Sequence, residues 1–122
     1  MPFAVTVERH PDYVRFNPAG ATSLKNFADL VLEMTAQIDK HEDDRVLVDL
    51  RKVEGRLSTR EQQLLGEVAA ARLTLVYKLA SLVPRGEVTR NSETAASKAG
   101  LQMRVFDSEP AALAWLLDGS PD

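Results

Sequence analysis

A serine and a group of cations follow the most hydrophobic short segment of the sequence, residues 46–50. Ser58 opens the run Ser58-Thr59-Arg60-Glu61, which matches a capping box: the serine and the glutamate three residues later each accept a hydrogen bond from the other's backbone N–H group. The free N–H groups and the positive dipole end of a helix that begins here attract anions. Four arginines that follow two predicted strands complete a candidate site for an anion or a partner: Arg51, Arg56, Arg85 and Arg90.

Ser58 has two interpretations, which can both hold. A serine that begins a helix stabilises it by about 1 kcal/mol relative to alanine, and this role alone explains the residue. A phosphoryl group on the hydroxyl would be stabilised by the helix N-terminus and the arginines, and it would add roughly two negative charges to a docking surface. The arginines also have a plain interpretation, because exposed cations keep loops soluble and Glu54, Glu61 and Glu87 dilute their charge.

A second candidate site is apolar. The third predicted helix contains mainly small residues, so it could pack loosely and leave a groove against the second helix; ordinary close packing of small residues is the alternative. An apolar pocket with a cationic rim would suit a lipophilic or amphiphilic anion. The residues that would line this groove are Leu57, Leu64, Leu65, Val68 and Val88.

The sequence does not indicate catalysis, a metal centre or a cofactor. It has no cysteine, and His10 and His41 stand in predicted turns without a repeated ligand spacing. Asp49 has no histidine or second carboxylate at a compatible position, so we expect it to cap a loop or to pair with Arg51. No nucleophile, base and orienting group form a recognisable set, and we therefore expect a non-enzymatic protein.

Composition places the chain among ordinary globular proteins. The 122 residues predict one domain, with residues 119–122 as a flexible tail. The net charge of −3 does not favour nucleic acid as a partner. No apolar run approaches the roughly 20 residues of a membrane span, and the N-terminus does not resemble a signal peptide. We expect a cytoplasmic protein that is not embedded in a membrane, either monomeric or homodimeric.

Strands and helices alternate along the chain and must position the candidate residues. Two-residue periodicity and short apolar runs predict strands at residues 3–7, 13–16, 46–50, 77–83 and 102–106, with residues 17–20 ending the second strand. Three- to four-residue periodicity predicts a helix from Thr22 or Ser23 to about Lys40. A second helix is expected to begin at Ser58 and to bury Leu64, Leu65, Val68 and Leu73. A third is expected over residues 92–99, with Gly100 after its end, and a fourth from Ser108 through Leu117. The order predicts a mixed sheet with an N-terminal antiparallel hairpin, parallel strands and about four helices.

Two segments carry a resemblance to a known family. The run VLVDLRKVEGRLS (46–58) and the ending MRVFDSEPAALAWL (103–116) resemble the small α/β domains called SpoIIAA-like or STAS-related. The resemblance implies their fold, and it implies one of two activities. Anti-anti-sigma STAS proteins bind a partner kinase and are phosphorylated on a serine at the start of the second helix, whereas other SpoIIAA-like members, related to the CRAL-TRIO lipid-transfer fold, resemble binders of small lipophilic ligands.

Ser58 matches the phosphorylated serine of STAS proteins by position. The acid that precedes this serine in the family, and the glycine that follows it, are absent from Arg56-Leu57-Ser58-Thr59. The expected function is a regulatory domain that binds a protein, modulated by an anion or by phosphorylation near Ser58. The alternative is a carrier of a small lipophilic or amphiphilic anion, held between the second and third helices.

Overall fold

A computed structural model describes residues 1–118, which form six strands and four helices. The expected tail, residues 119–122, lies outside the described residues. The strands are β1 (Ala4–Arg9), β2 (Val14–Ala21), β3 (Arg45–Asp49), β4 (Val53–Glu54), β5 (Lys78–Leu82) and β6 (Met103–Phe106). The helices are α1 (Leu24–His41), α2 (Thr59–Arg72), α3 (Asn91–Lys98) and α4 (Glu109–Leu117).

The strands form one mixed sheet in the order β1-β2-β3-β5-β6, with β4 paired to the end of β2. Strands β1 and β2 are an antiparallel hairpin, and every other pairing is parallel. The predicted fold class is therefore confirmed.

The predicted end of the second strand was wrong, and one short strand was missed. Strand β2 continues through residues 17–20 to Ala21, although Pro18 has no N–H group to donate. Proline is tolerated because β3 pairs only with residues 14–16 and β4 only with Gly20 and Ala21, so that β2 is locally an edge strand at Pro18. The two-residue strand β4 was not predicted, because so short a segment has no periodicity to recognise.

Helices cover both faces of the sheet. Helix α1 begins at its cap Ser23, whose side chain accepts a hydrogen bond from the backbone N–H of Asn26 at 3.0 Å. Its predicted apolar face is buried together with the α2 and α3 side of the sheet: Phe27, Leu30, Val31, Met34 and Ile38. Helix α4 covers the other face, where Leu116 packs with Leu47 and Leu82.

The buried face of α2 differs from the prediction. Leu73 is buried as expected, but Leu64 and Val68 are 40% and 39% exposed. The reason is Gly66, which faces α3 so closely that a Cβ atom built on it would lie 2.4 Å from the carbonyl oxygen of Ser92. Small residues thus select the face of α2 that packs, and the larger Leu64 and Val68 are left outside.

The last two helices agree with the sequence. Gly100 follows α3 with a φ of +104°, a left-handed conformation that glycine adopts without strain. Ser108 caps α4 by accepting a hydrogen bond from the N–H of Ala111 at 3.4 Å. Trp115 is half-buried and packs against Phe106 with ring centroids 5.7 Å apart, at the border of the core on this face of the sheet. Within residues 1–118, no helix has the length and apolar character needed to cross a membrane.

Candidate functional site

Two loops leave the sheet at the same edge, and they bring together most of the candidate residues. Asp49 and Leu82 are register partners at the ends of the parallel strands β3 and β5. The N–H of Leu50 donates to the carbonyl of Leu82 at 2.7 Å, which extends this pairing to the start of the loop. Residues 50–58 and 83–92 therefore lie side by side, and we call these two segments the carboxyl edge.

Ser58 stands at the end of the first loop as the cap of α2. Its Oγ accepts a hydrogen bond from the N–H of Glu61 at 3.1 Å, and Glu61 Oε1 accepts one from the N–H of Ser58 at 3.0 Å. The predicted capping box is confirmed. The residue is exposed, so its hydroxyl lies on the surface at the positive end of the helix dipole.

The four candidate arginines do not form one cationic cluster. Arg51 Nη2 contacts Asp49 Oδ2 at 2.9 Å and Glu109 Oε1 at 3.1 Å, which draws it toward the start of α4 on the other face of the sheet. Arg90 Nη1 contacts Glu93 Oε2 at 2.7 Å in the first turn of α3. Each of these cations is balanced by a nearby carboxylate, so local charge at the carboxyl edge is mixed.

Arg56 and Arg85 remain at the centre of the carboxyl edge. Arg56 Nη2 lies 3.5 Å from Glu87 Oε1, and this exposed ion pair joins the two loops directly. Arg85 is exposed and makes no ion pair with any residue from 1 to 118. The turn after it is held by Asp107, whose Oδ2 accepts a hydrogen bond from the N–H of Gly86 at 3.1 Å.

An ion-pair network that the sequence did not reveal anchors the base of this edge. Arg15, the second residue of β2, contacts Asp49 Oδ2 at 2.6 Å and Glu109 Oε1 at 2.8 Å. The expected roles of Asp49 are also observed, because its Oδ1 accepts a hydrogen bond from the N–H of Arg51 at 3.0 Å. Asp49 thus holds the loop after β3 and ties β2 to β3 at the same time.

The network changes the acid–base properties of its members. Burial by itself would raise the pKa of Asp49, but hydrogen bonds from Arg51 and Arg15 outweigh it and lower that pKa. Burial by itself would lower the pKa of Arg15, but its hydrogen bonds to Glu109 and Asp49 raise that pKa. The carboxylate of Asp49 therefore stays ionised and structural, and it has no free proton acceptor site aimed at solvent.

The predicted apolar groove can be compared with an apolar cavity beneath α2. Gly66 packs directly against Ser92, which closes the space between α2 and α3 where the groove was expected. A cavity of about 160 Å³ lies instead between the sheet and the helices α1 and α2. Of the five predicted groove residues, Leu57 and Leu65 line this cavity; Val88 is half-buried against the same core, and Leu64 and Val68 are exposed.

One cavity-lining residue, Ser81, was not considered from the sequence. It is the fourth of the five residues of β5, where its small polar side chain is 4% exposed among apolar neighbours. A serine in the sequence KLASL of β5 was the available signal, since the rest of that apolar face is occupied by large hydrophobic residues.

The structure offers no constellation for metal binding within the part of the chain that it describes. No group of three or more His, Asp or Glu side chains there is placed to hold a metal ion. His10 stacks on Tyr13 with ring centroids 4.6 Å apart, and His41 is the last residue of α1.

A mixed sheet flanked by four helices, with two adjacent loops and a capped helix at one edge, defines a small α/β domain, and comparison assigns its family. The SpoIIAA-like family model matches residues 13–117, so the chain belongs to the SpoIIAA-like family. A sequence search of curated proteins found no significant match.

Two solved structures share the fold along almost the whole chain. An uncharacterized protein from Shewanella loihica PV-4, of the DUF3478 family and with a SpoIIAA-like fold, is 18% identical with a TM-score of 0.58, covering 94% of both chains. An anti-sigma factor antagonist from Mycobacterium paratuberculosis is 15% identical with a TM-score of 0.61, covering 95% of both chains. At these identities the likeness concerns the fold.

Proposed function

We propose that this SpoIIAA-like domain is a non-enzymatic regulatory module that binds a protein partner through the carboxyl edge, residues 50–58 and 83–92. The observation that carries the proposal is the parallel pairing of β3 with β5, which places both loops and the exposed start of α2 on one continuous surface. One structural neighbour is an anti-sigma factor antagonist, which adds support for a protein partner.

Polar features of the carboxyl edge favour recognition of a protein over catalysis. Arg56 and Glu87 present an exposed pair of opposite charges, and the nearby Arg85 adds a cation that has no ion-pair partner among residues 1–118. Mixed exposed charges contribute mainly to the specificity and the rate of association. The carboxylate of Asp49, whose pKa is lowered, is held by Arg15 and Arg51 and is therefore unsuited to accept a substrate proton.

Ser58 is the proposed point of regulation. A phosphoryl group there would take the place of the hydroxyl at the N-terminus of α2 and would stand beside the Glu61 carboxylate that completes the capping box. The result would be a change of roughly two charges in the centre of the docking surface, without loss of the helix cap. An anion bound at the same helix end would act on partner binding in the same direction.

The alternative function, carriage of an amphiphilic anion between α2 and α3, has less support. Gly66 and Ser92 pack where that groove would lie. The surface hollow that does lie between α2 and α3 contains the cations Arg90 and Lys98, but its other lining side chains are mainly polar, and Arg90 is paired with Glu93.

Site-specific photo-crosslinking in the cells that make the protein tests the proposal. A crosslinking amino acid replaces Arg85 at the carboxyl edge, and in a matched variant it replaces Leu32, which is exposed on α1. We expect a discrete adduct with one protein from position 85 and none of that mass from position 32. Equal adducts from both positions, or none from position 85, would contradict the proposal.

A further inference from the structure

Ser81 interrupts an otherwise apolar surface in the centre of the sheet. Along β5, Leu79 and Ser81 point toward α1 and α2, whereas Ala80 and Leu82 point toward α4. The register partners of Ser81 on the two adjacent strands are Val48 and Val105. A residue such as valine would continue this surface, so the packing of the core does not explain a hydroxyl here.

The Ser81 hydroxyl forms none of the side-chain hydrogen bonds found within residues 1–118, even though the residue is only 4% exposed. Every fully enclosed polar side-chain atom of these residues does have a partner. It follows that the hydroxyl of Ser81 keeps access to open space, and the open space beside it is the cavity that it lines. A buried hydroxyl without a partner destabilises a core, which makes it a feature that a ligand would satisfy.

The cavity has the size and the surface of a site for a small molecule. Its volume is about 160 Å³, and its walls are mainly large apolar side chains, including Phe27, Leu30, Met34, Leu65 and Met103. Apolar cavities of about 150 Å³ remain dry and bind molecules the size of benzene. The register partners of Ser81 are both valines, so its immediate neighbours on the sheet offer a water no side-chain hydrogen bond.

The charged side chains around the cavity favour a ligand without net charge. The charged side chains in the cavity lining, Arg56 and Glu87, lie at the exposed rim and pair with each other at 3.5 Å. A carboxylate in the cavity would therefore lack an unpaired cation, and its burial would be unfavourable.

We propose that this cavity binds a small neutral amphiphile, with an apolar body of roughly benzene size and one hydroxyl or carbonyl group that hydrogen-bonds to Ser81 Oγ. The binding site is separate from the carboxyl edge that we assign to the protein partner, and the inference does not depend on that assignment. Its direct evidence is a buried hydroxyl that faces an apolar cavity.

Phenol and toluene test the proposal, because they have nearly the same shape and differ in one hydroxyl group. Each is titrated into the isotope-labelled protein, and the backbone amide resonances are followed by NMR. We expect saturable shifts confined to cavity-lining residues for both probes. In Ser81→Ala the affinity for phenol should fall about three- to tenfold, the range of one neutral hydrogen bond, while the affinity for toluene stays the same.

A control variant and a charged probe complete the test. The control is Leu64→Ala, an exposed change on α2 away from the cavity, which should leave the affinities for phenol and toluene unchanged. The charged probe is benzoate. Retained toluene binding shows that Ser81→Ala is folded. Equal phenol affinity in the original protein and in Ser81→Ala would overturn the role of Ser81. Tighter binding of benzoate than of phenol would overturn the neutral class of ligand, and no saturable shift with any of these probes would overturn the site itself.

Discussion

Arg15 Nη2 lies 2.6 Å from Asp49 Oδ2, an ion pair that joins the start of β2 to the last residue of β3. The same guanidinium contacts Glu109 at the start of α4, and the same carboxylate holds Arg51 in the loop that follows β3. The network therefore fixes the origin of one loop of the carboxyl edge to the opposite layer of the domain. Its energetic value should be measurable through the ionisation of Asp49.

Stability should depend on pH through Asp49. Its pKa is lowered in the folded protein, so its contribution is fully present above the unfolded value near 3.8 and is lost as the pH falls below that value. At pH 7, Asp49→Asn should reduce the free energy of unfolding by about 2 kcal/mol, since hydrogen bonds to a charged group are lost. Urea denaturation of both proteins between pH 7 and pH 3 measures this difference, which should shrink in acid. A difference independent of pH would contradict the assignment.

Gly66→Ala should destabilise the protein, although the same change in an exposed helix is stabilising by about 1 kcal/mol. The added Cβ would lie 2.4 Å from the backbone oxygen of Ser92, and overpacking of this kind costs about 1–3 kcal/mol. Thermal denaturation measures the effect, with Glu67→Ala, exposed on the next position of α2, as the control. An increase in stability for Gly66→Ala would show that α2 and α3 are loosely packed and that the predicted groove is open.

The sequence predicted the elements whose pattern is local and missed the features that depend on distant residues. The apolar face of α1 and the short apolar strand β3 are visible as periodicity, and the capping box at Ser58 is visible as spacing. Arg15 pairs with Asp49, which is 34 positions away in the sequence, and with Glu109, which is 94 positions away. No local sequence pattern predicts contacts over such separations. The arginines after β3 and β5 were correctly placed at one edge, but their acidic partners, which divide the cluster, depend on the arrangement of α3 and α4.

The orientation of α2 also depends on distant residues and could not be predicted from its own sequence. Large side chains at Leu64 and Val68 suggested a buried face, and the periodicity of apolar residues gave no reason to prefer another. The observed face is selected by Gly66, whose lack of a side chain allows α3 to approach. Close contact between two helices depends on the shape of both surfaces, and one sequence segment does not contain that information.

Substitutions of Ser58 should separate its structural role from its regulatory role. Ser58→Ala should lower the free energy of unfolding by about 1 kcal/mol, because alanine cannot cap the helix. Ser58→Asn and Ser58→Asp both retain a capping oxygen, so both should have stability near that of the original protein. They differ in charge, and only Ser58→Asp should weaken the complex with the protein captured from position 85, by about tenfold or more. Isothermal titration calorimetry measures the three affinities, and equal affinities for the asparagine and aspartate variants would exclude control by charge.

Hydrogen exchange of the purified chain, measured by mass spectrometry with and without that captured partner, tests the assignment of the docking surface most directly. We predict added protection of backbone amides in residues 50–58 and 83–92, with residues 32–41 on α1 unchanged as an internal reference. Protection confined to β1, or to α4, would place the partner on another face and would contradict the proposed role of the carboxyl edge.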